Sequence, residues 1–496
     1  METTSTSSDS GIRDLRLSKI KALKDKGVNP YPVKATRTAF AGELHKEFGH
    51  LQAEDTTGIV HTVTGRIVLK REMGKLAFAT LRDSSGSIQL FVLAGELGDS
   101  FKEFCDLDLG DWVSATGEVI SSKKGELSIK VSSFELLSKC LRPLPDKFKG
   151  MTDQDQIYRQ RELDLIMNEE SRRRFEIRHA AIASIRKTFI ERGYVEVEGP
   201  TLHLQPGGAT AKPFITHHNA LDQDLYLRIA EELHLKRLVV GGMERVFEIG
   251  RVYRNEGIST RHNPEFTMLE SYEAFADYFD IMDLTETLIS NAATDAIGRT
   301  DVEFGGNTIS LAGPYRRASM IELVEEAIGE KLHPSMDLEE ARAIAKRNNI
   351  EVKDYWGVGK IIGELYEEHV EKDLIQPTFV MDYPREISPL ARQHRDDPEL
   401  TERFELVVGG RELANAFSEL NDPVEQRIRF EEEKALAEAG DDEAAHTIDE
   451  EYIRALEYGL PPTGGLGIGM DRLAMLLAET TTIRDIVLFP TLRPEV

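Results

Sequence analysis

Apolar and polar residues alternate in five short runs near the start of the chain, at Thr62–Lys70, Lys75–Arg82, Ser87–Leu93, Asp111–Ile120 and Glu126–Leu136. A period of two marks half-buried strands, and Gly-containing turns separate these. A helical stretch, Gly98–Asp106, falls between the third and fourth. The alternation turns Ala77, Ala79, Leu81, Ile88, Leu90, Val92, Leu127, Ile129 and Val131 inward and leaves Phe78, Gln89 and Glu126 outside. From about Asp153 the pattern changes to mixed helices and strands. A helix at Ile177–Phe189 carries an apolar stripe, strands are predicted at Val246–Tyr253 and Phe266–Ala274, and an apolar helix follows Gly469. Residues 315–395 show helical patterns with few strand signals, as an insertion would.

These patterns predict an α+β chain. Residues 1–56 form a tail and a basic helix, 57–140 a five-stranded Greek-key barrel of the oligonucleotide-binding type, 141–175 a linker, and 176–496 a larger domain. A length of 496 residues requires more than one core. With 40% hydrophobic and 30% charged residues, the composition is that of a soluble globular protein. No apolar run reaches the roughly 18 residues of a membrane span. The polar start Met1–Gly11 lacks the features of a signal peptide and reads as a frayed tail. Cys105 and Cys140 have no metal-ligand spacing; reduced, buried and structural thiols fit a cytoplasmic protein.

A net charge of −26 argues against a generic nucleic-acid binder, but not against one that grips a structured RNA through local basic patches. Arg13, Arg16, Lys19, Lys21, Lys24 and Lys26 crowd one predicted helix, and Lys123 and Lys124 lie in a turn. Either group is also readable as a solvated face. The acid-rich stretch Glu431–Glu451 reads as an exposed helical surface.

The densest chemistry lies at Arg254-Asn-Glu256-Gly-Ile-Ser-Thr-Arg-His262-Asn-Pro-Glu-Phe266, followed by Glu270 and Tyr272. Arg254 and Glu256 are two apart, as on one face of a strand, and a polar loop hinges on Gly257. Phe266, Met268, Glu270 and Tyr272 share a face by the same period. Two neighbouring strands thus offer one pocket a guanidinium for phosphate, rings for a purine, and carboxylates for an ammonium.

This stretch resembles motif 2 of the class II aminoacyl-tRNA synthetases, in the form typical of lysyl-tRNA synthetases. The helix–strand unit Arg178–Pro200 is similar to motif 1, and Gly465-Leu-Gly467-Ile-Gly469-Met-Asp-Arg472 to motif 3. The phrases Pro206-Gly-Gly208, Pro213-Phe-Ile-Thr-His-His-Asn-Ala220, Gly409-Gly-Arg-Glu412 and Phe417-Ser-Glu419-Leu-Asn421 are of the lysyl type.

The resemblance implies a six-stranded antiparallel sheet flanked by helices, a homodimer, and ATP-dependent ligation of L-lysine to tRNA(Lys) through a lysyl-adenylate. It makes Arg254 and Arg472 the catalytic pair on the α- and γ-phosphates. Glu256, His262, Asn263, Phe266 and Glu412 complete the ATP site, with adenine sandwiched between Phe266 and Arg472. Glu412 and Glu419 match Mg2+ ligands. Gly208, Glu232, Glu270, Tyr272, Asn415, Phe417 and Glu419 match the lysine site, with Gly208 leaving room for the α-amino group. Arg71, Phe78, Gln89 and Glu126 match anticodon-binding positions.

Several residues keep a second reading. Glu232 adjoins Glu231 and is also placed to pair with Lys236 at i+4. Phe78 is also readable as an incidental surface ring, and Arg472 as an ordinary first-turn helix residue. Glu412 and Glu419, seven apart, fall on opposite faces of a regular strand, so sharing a metal requires a bulge or break, expected at Ala414–Ala416. Lys212 and Glu162 depart from the family pattern, which has Arg and an aromatic there. An aspartyl or asparaginyl enzyme shares this architecture, but its pocket must accept a carboxylate or amide. A catalytically silent RNA-binding paralogue is a further alternative, against which Arg254, Glu412 and Arg472 all stand.

Overall fold

The computed structural model describes residues 5–145, 151, 153–209, 211–441 and 447–494, with side chains from residue 10 onward. Met1–Thr4 of the expected tail, the linker residues Lys147 and Lys149, and residues 442–446 of the acid-rich stretch lie outside the described residues. The chain forms two compact units, Met1–Gly150 and Met151–Val496.

In the first unit, strands β1 (Thr56–Met73), β2 (Leu76–Arg82), β3 (Ser87–Leu93), β4 (Trp112–Ser121) and β5 (Leu127–Ser138) close a barrel in the order β1-β2-β3-β5-β4. β1 is longer than its alternating run because it serves two neighbours. Its first part pairs with β4, and beyond Arg66 it pairs with β2 across a bulge near Leu69. All nine side chains expected inside are buried, none more than 7% exposed. The helical interruption is two short helices, Ala94–Leu97 and Ser100–Cys105, parted where Gly98 takes φ +57°.

The basic helix Ser5–Asp25 divides its charges. Arg16 donates to the carbonyls of Cys140 and Arg142 at 2.9 and 3.0 Å, and Lys19 pairs with Asp108 at 3.0 Å. Arg13, Lys21, Lys24 and Lys26 stay exposed. Both cysteines are free thiols but only half-buried, not buried as expected, since each sits at the barrel's margin rather than on an inward-facing strand position.

The second unit carries β6 (Val195–Glu196), β7 (Leu202–His203), β8 (Ile215–His218), β9 (Gln223–Leu227), β10 (Arg245–Tyr253), β11 (Glu265–Ala274), β12 (Asp301–Phe304) and β13 (Asn307–Ser310). β14 (Arg316–Ser319), β15 (Thr378–Met381), β16 (Arg403–Val407), β17 (Glu412–Ser418) and β18 (Thr463–Gly469) follow. The main sheet runs β14-β15-β16-β17-β18-β11-β10-β6. Its inner six strands are antiparallel, as expected, and β14 and β6 add a parallel strand at each edge.

β14 and β15 come from within the expected insertion. Thr378-Phe-Val-Met381 is buried at all four positions, so its sequence has no alternation to read. Elsewhere in that segment three helices, Met320–Ile328, Leu338–Arg347 and Val358–His369, share a core of their own.

The segment expected as linker is helical from Gln154, through Arg161–Met167, into the long helix Glu169–Glu191. Buried Arg161 holds Asp164 at 2.6 Å and donates to the carbonyls of Leu488 and Arg484, pinning the C-terminal segment. Glu162 between them faces solvent, where a carboxylate in place of an aromatic costs little. The apolar stripe of the long helix, Ile177, Ala181, Ile185 and Phe189, is covered by its own chain, joining Leu284, Leu288 and Ala292 of helix Tyr278–Ile297 in the main core. Exposed apolar residues instead stand at the end of the helix Glu169–Glu191 and beyond it: Ile190, Val195, Leu202, Leu204, Ile215 and Leu221.

Candidate functional site

The adjacent strands β16, β17, β18 and β11 wall one cavity of about 1190 Å³. Phe266, Met268, Glu270 and Tyr272 of β11 all line it, as their shared period required, while Leu269 faces the core behind. Gly208, Glu232, Arg254, Glu256, His262, Asn263, Glu412, Asn415, Phe417 and Arg472 line it as well. Glu419 lies buried beside it, against Gly465.

Arg254 and Glu256 reach the cavity from a loop rather than from a strand. β10 ends at Tyr253, where the Arg254 N–H donates to Pro264 O at 2.8 Å and the Asn255 N–H to Lys212 O at 2.7 Å. That hydrogen bond uses the Lys212 backbone, which is indifferent to whether Lys or Arg stands there, and Lys212 also lines the cavity. The Arg254 guanidinium lies 5.2 Å over the Phe266 ring, and burial lowers its pKa. Arg472, on the first turn after β18, donates to Glu412 Oε2 at 2.9 Å and to its carbonyl at 2.6 Å. Burial pushes the Glu412 carboxyl up, but Arg472, Arg403 and Arg254 together hold it below its ordinary value. Burial likewise depresses the His262 pKa, which favours the neutral ring, and Nδ1 lies 3.0 Å from Ser259 Oγ. Both ends of the Asn263 amide are committed to backbone, Nδ2 to Glu265 O at 2.7 Å and Oδ1 to Thr491 N at 3.1 Å.

The opposite end is acidic. Of the adjacent pair, Glu232 faces the cavity and Glu231 turns away, towards Arg228 at 3.2 Å. Glu232 does pair with Lys236 at 2.6 Å, and Lys236 also meets Glu419. Glu270 accepts the Glu231 N–H at 3.2 Å and the Tyr272 hydroxyl at 3.0 Å. Its pKa is raised well above the ordinary value by burial and by Glu231 and Glu232. The alternate glycines serve different ends. A Cβ on Gly465 would lie 1.9 Å from Glu419 Oε1 and 2.7 Å from Tyr272, so protein side chains take that space. A Cβ on Gly467 would meet nothing closer than 3.5 Å.

The break required between Glu412 and Glu419 exists, one residue earlier than expected. Leu406 pairs with Ala414 but Val407 with Glu412, leaving Leu413 as the extra residue, which turns Glu412 onto the face of Asn415 and Phe417. Yet β17 is extended throughout, and at about 3.3 Å per residue the two Cα atoms stand roughly 20 Å apart, too far to share one ion. Glu371 accepts the Glu412 N–H at 3.3 Å, and a further carboxylate that Glu412 acts on is Glu405 on β16. Its pKa is pushed up to about 7 by burial, against Arg403 and with Glu412 adding to the rise. Arg403 binds Glu405 at 2.6 Å and Asn415 at 3.0 Å. Both Arg403 and Glu405 line the cavity. Their spacing of two on one strand face, the signal used for Phe266 to Tyr272, was available in the sequence to find them.

On the barrel, β1–β2–β3 register sets Arg71 opposite Phe78 and Phe78 opposite Phe91, with Gln89 one position along on the same outward face. The Phe78 and Phe91 rings are 5.4 Å apart. Phe78 and Gln89 are half-buried, and Arg71 and Glu126 exposed. Phe91, missed in the sequence, shares the alternation of Gln89.

A family model described as tRNA synthetases class II (D, K and N) matches residues 153–493, and one described as an OB-fold nucleic acid binding domain matches residues 61–137. The chain is 52% identical over 482 residues to a lysine–tRNA ligase of Enterococcus faecalis, covering 97% of each. It is 51% identical over 493 residues to that of Halalkalibacterium halodurans, 98% of each. To that of Bacillus subtilis it is 51% identical over 482 residues, 97% of this chain and 96% of the relative.

Glu231 generates a prediction about stability. Its pKa is pushed from 4.5 up to about 7 by burial, with Arg228 opposing and Glu248 adding. The folded protein therefore holds this proton more tightly than the unfolded chain does, and stability is lost as pH rises from 4.5 through 7. Glu231→Gln should raise the Tm relative to the parent at pH 8 and change it much less at pH 5. Equal shifts at the two pH values, read by thermal unfolding, would show that Glu231 carries no such cost.

Proposed function

Since the chain belongs to the class II tRNA synthetases (D, K and N), we propose how its own residues serve the ATP-dependent ligation of L-lysine to tRNA(Lys). The observation that carries this reading is one cavity with arginines at one end and buried carboxylates at the other. A carboxylate oxygen of lysine attacks the α-phosphorus of ATP, the bond to the bridging oxygen breaks, and pyrophosphate leaves. A ribose hydroxyl at the tRNA terminus then attacks the adenylate carbonyl and AMP departs. The first nucleophile is already an anion, so the protein aligns it and neutralises growing charge rather than removing a proton.

Arg254 takes the α-phosphate and Arg472 the γ-phosphate. Phe266 stacks on adenine, while Glu256, His262 and the loop clamped by Asn263 frame the nucleotide. Glu232, Glu270 and Glu419 receive the ammonium groups of lysine, with Tyr272, Asn415 and Phe417 as walls and Gly208 admitting the α-amino end. A substrate bearing a carboxylate or amide in place of the ε-ammonium would leave these groups unanswered, which disfavours the aspartyl and asparaginyl readings.

The chemistry of the donors fits Mg2+ at Glu412 with Glu405, two carboxylates beside the phosphate-binding arginines. Glu419, expected as the second ligand, is answered by Lys236 and is left to the lysine pocket. Bound there, Mg2+ would offset phosphate charge. Arg71, Phe78, Gln89 and Glu126 receive the anticodon by stacking and base-edge hydrogen bonds.

We further propose a cytoplasmic homodimer whose interface uses Val195, Leu202, Leu204 and Ile215, since these are the apolar residues left exposed where motif 1 ends. Among the described residues no helix is long and apolar enough to cross a membrane. Sedimentation should give a dimer at micromolar concentration; a stable, active monomer would refute the interface.

Arg254→Ala should abolish lysine-dependent pyrophosphate exchange while the protein stays folded, at a cost of about 3–4 kcal/mol, or roughly 10²–10³-fold in rate. Exchange near the parental rate would sink the assignment of Arg254. Phe78→Ala should remove roughly 1–3 kcal/mol of base stacking, which is roughly 5- to 150-fold in kcat/KM for tRNA charging. Exchange measured without tRNA should not change. Unaltered charging would make Phe78 a surface ring, and an equal fall in both assays would point to a damaged fold.

A further inference from the structure

Lys236 takes no part in the reaction as described, yet its side chain is 0% exposed. A buried ammonium is expensive unless it is closely paired. Lys236 rises from the helix Glu232–Val240, one turn beyond Glu232. Its Nζ lies 2.6 Å from Glu232 Oε1 and in contact with Glu419 Oε2. The rings of Phe417, Tyr452 and Tyr272 surround it at 5.4, 5.8 and 6.0 Å. Glu232 and Glu419 raise its pKa well above the ordinary value, against the effect of burial, so it is charged.

Each of the two carboxylates gives Lys236 a single oxygen. The other oxygen of Glu232 turns towards Gly208, where a Cβ would lie 3.8 Å from Oε2. The other oxygen of Glu419 lies over Gly465 beside Tyr272, buried and without a hydrogen-bond partner among the described residues. Gly208 and Gly465 both line the cavity. One ammonium thus ties together the backs of two carboxylates from different elements, a helix and the end of β17. Their remaining oxygens lie against two separate glycines of the same cavity wall.

We infer that Lys236 is a positioning residue that sets substrate chain length. By clamping Glu232 and Glu419 from behind, it fixes the span between the oxygens that receive the two ammonium groups of a diamino acid, a role that rests on the lysine reading proposed above. Lysine and ornithine differ by one methylene, which an apolar pocket alone separates by only about 10- to 200-fold. A fixed span between charged acceptors separates them further, because the shorter diamine leaves one buried carboxylate unpaired. Without the clamp, Glu419 is free to follow whichever ammonium arrives.

The test uses pyrophosphate exchange by the full chain, measuring KM for lysine, Ki for ornithine as competitor, and KM for ATP. Lys236→Met should raise the lysine KM and contract the ratio of ornithine Ki to lysine KM, each by roughly tenfold or more, with the ATP KM little changed. Removing this charge leaves two buried carboxylates unanswered and endangers the fold, so Lys236→Arg is the second variant. It keeps the charge but alters the length of the clamp, and the same ratio should contract while thermal unfolding and the ATP KM stay near parental values. A folded Lys236→Arg or Lys236→Met protein with the parental ratio overturns the role, as does a variant in which lysine, ornithine and ATP all lose alike. Failure of the parent protein to exchange pyrophosphate with lysine would overturn the proposed function instead.

Discussion

Negative charge taken out of water is the constraint around which the larger unit is arranged. Glu231, Glu232, Glu270 and Glu419 are 2, 7, 6 and 1% exposed. Arg228 answers Glu231 and Lys236 answers Glu232 and Glu419, while Glu270 is held by the Glu231 N–H and the Tyr272 hydroxyl; Arg228 is shared with a further carboxylate, Glu248, at 2.5 Å. Removing one of these cations typically costs about 3–5 kcal/mol, because its carboxylates are left uncompensated. The backbone yields to keep these pairs. A Cβ on Gly250, in the middle of β10, would lie 2.0 Å from Arg228 Nη2 and 2.7 Å from Glu231 Oε1. A Cβ on Gly465 would overlap Glu419. Glycine weakens a strand, and here it is the condition for bringing charged side chains across the sheet.

What the sequence made legible follows from which of these forces leaves a period. The barrel strands alternate because one face is buried and the other wet, so Ala77 to Leu81 and Ile88 to Val92 revealed both the strands and the inward set. The cavity face of β11 was legible for the same reason, although there the inner face is polar. β15 was not, being buried on both faces and only four residues long. The helices from Gln154 to Met167 were masked by the prolines and lysines that precede them. The stripe on helix Glu169–Glu191 was legible and its cover, helix Tyr278–Ile297, was not, because periodicity shows that a face is covered but not by what. Alternation was likewise unable to say whether Glu231 or Glu232 meets the cavity. That depended on where the chain leaves β9 and enters the helix.

The separation of Glu412 from Glu419 shows how a local irregularity and a regular repeat act together. The extra residue at Leu413 reverses the phase of β17, so a carboxylate at each end points to the same side of the sheet. The regular rise then carries them to opposite ends of one cavity. Phase decides which face a side chain serves, and rise decides which substrate it meets. The phrase linking them is therefore a strand that runs along the cavity, with Asn415 and Phe417 between.

Carboxylates recur at both ends, and what stands beside them decides what they bind. At one end Glu405 and Glu412 face Arg254, Arg403 and Arg472. A polyphosphate drawn there by the arginines brings more negative charge than they cancel, and a hard divalent cation is the species that satisfies phosphate and carboxylate together. At the other end aromatic rings wall the acids and a monovalent ammonium suits the set, as Lys236, built in as one example, shows. A free amino acid with ammonium groups and one carboxylate has a single low-energy orientation in that field. On the proposed reading its amino groups go to the acids and its carboxylate to Arg254, beside the α-phosphate. The polarity of the cavity thus performs the alignment that a reaction without a general base depends on.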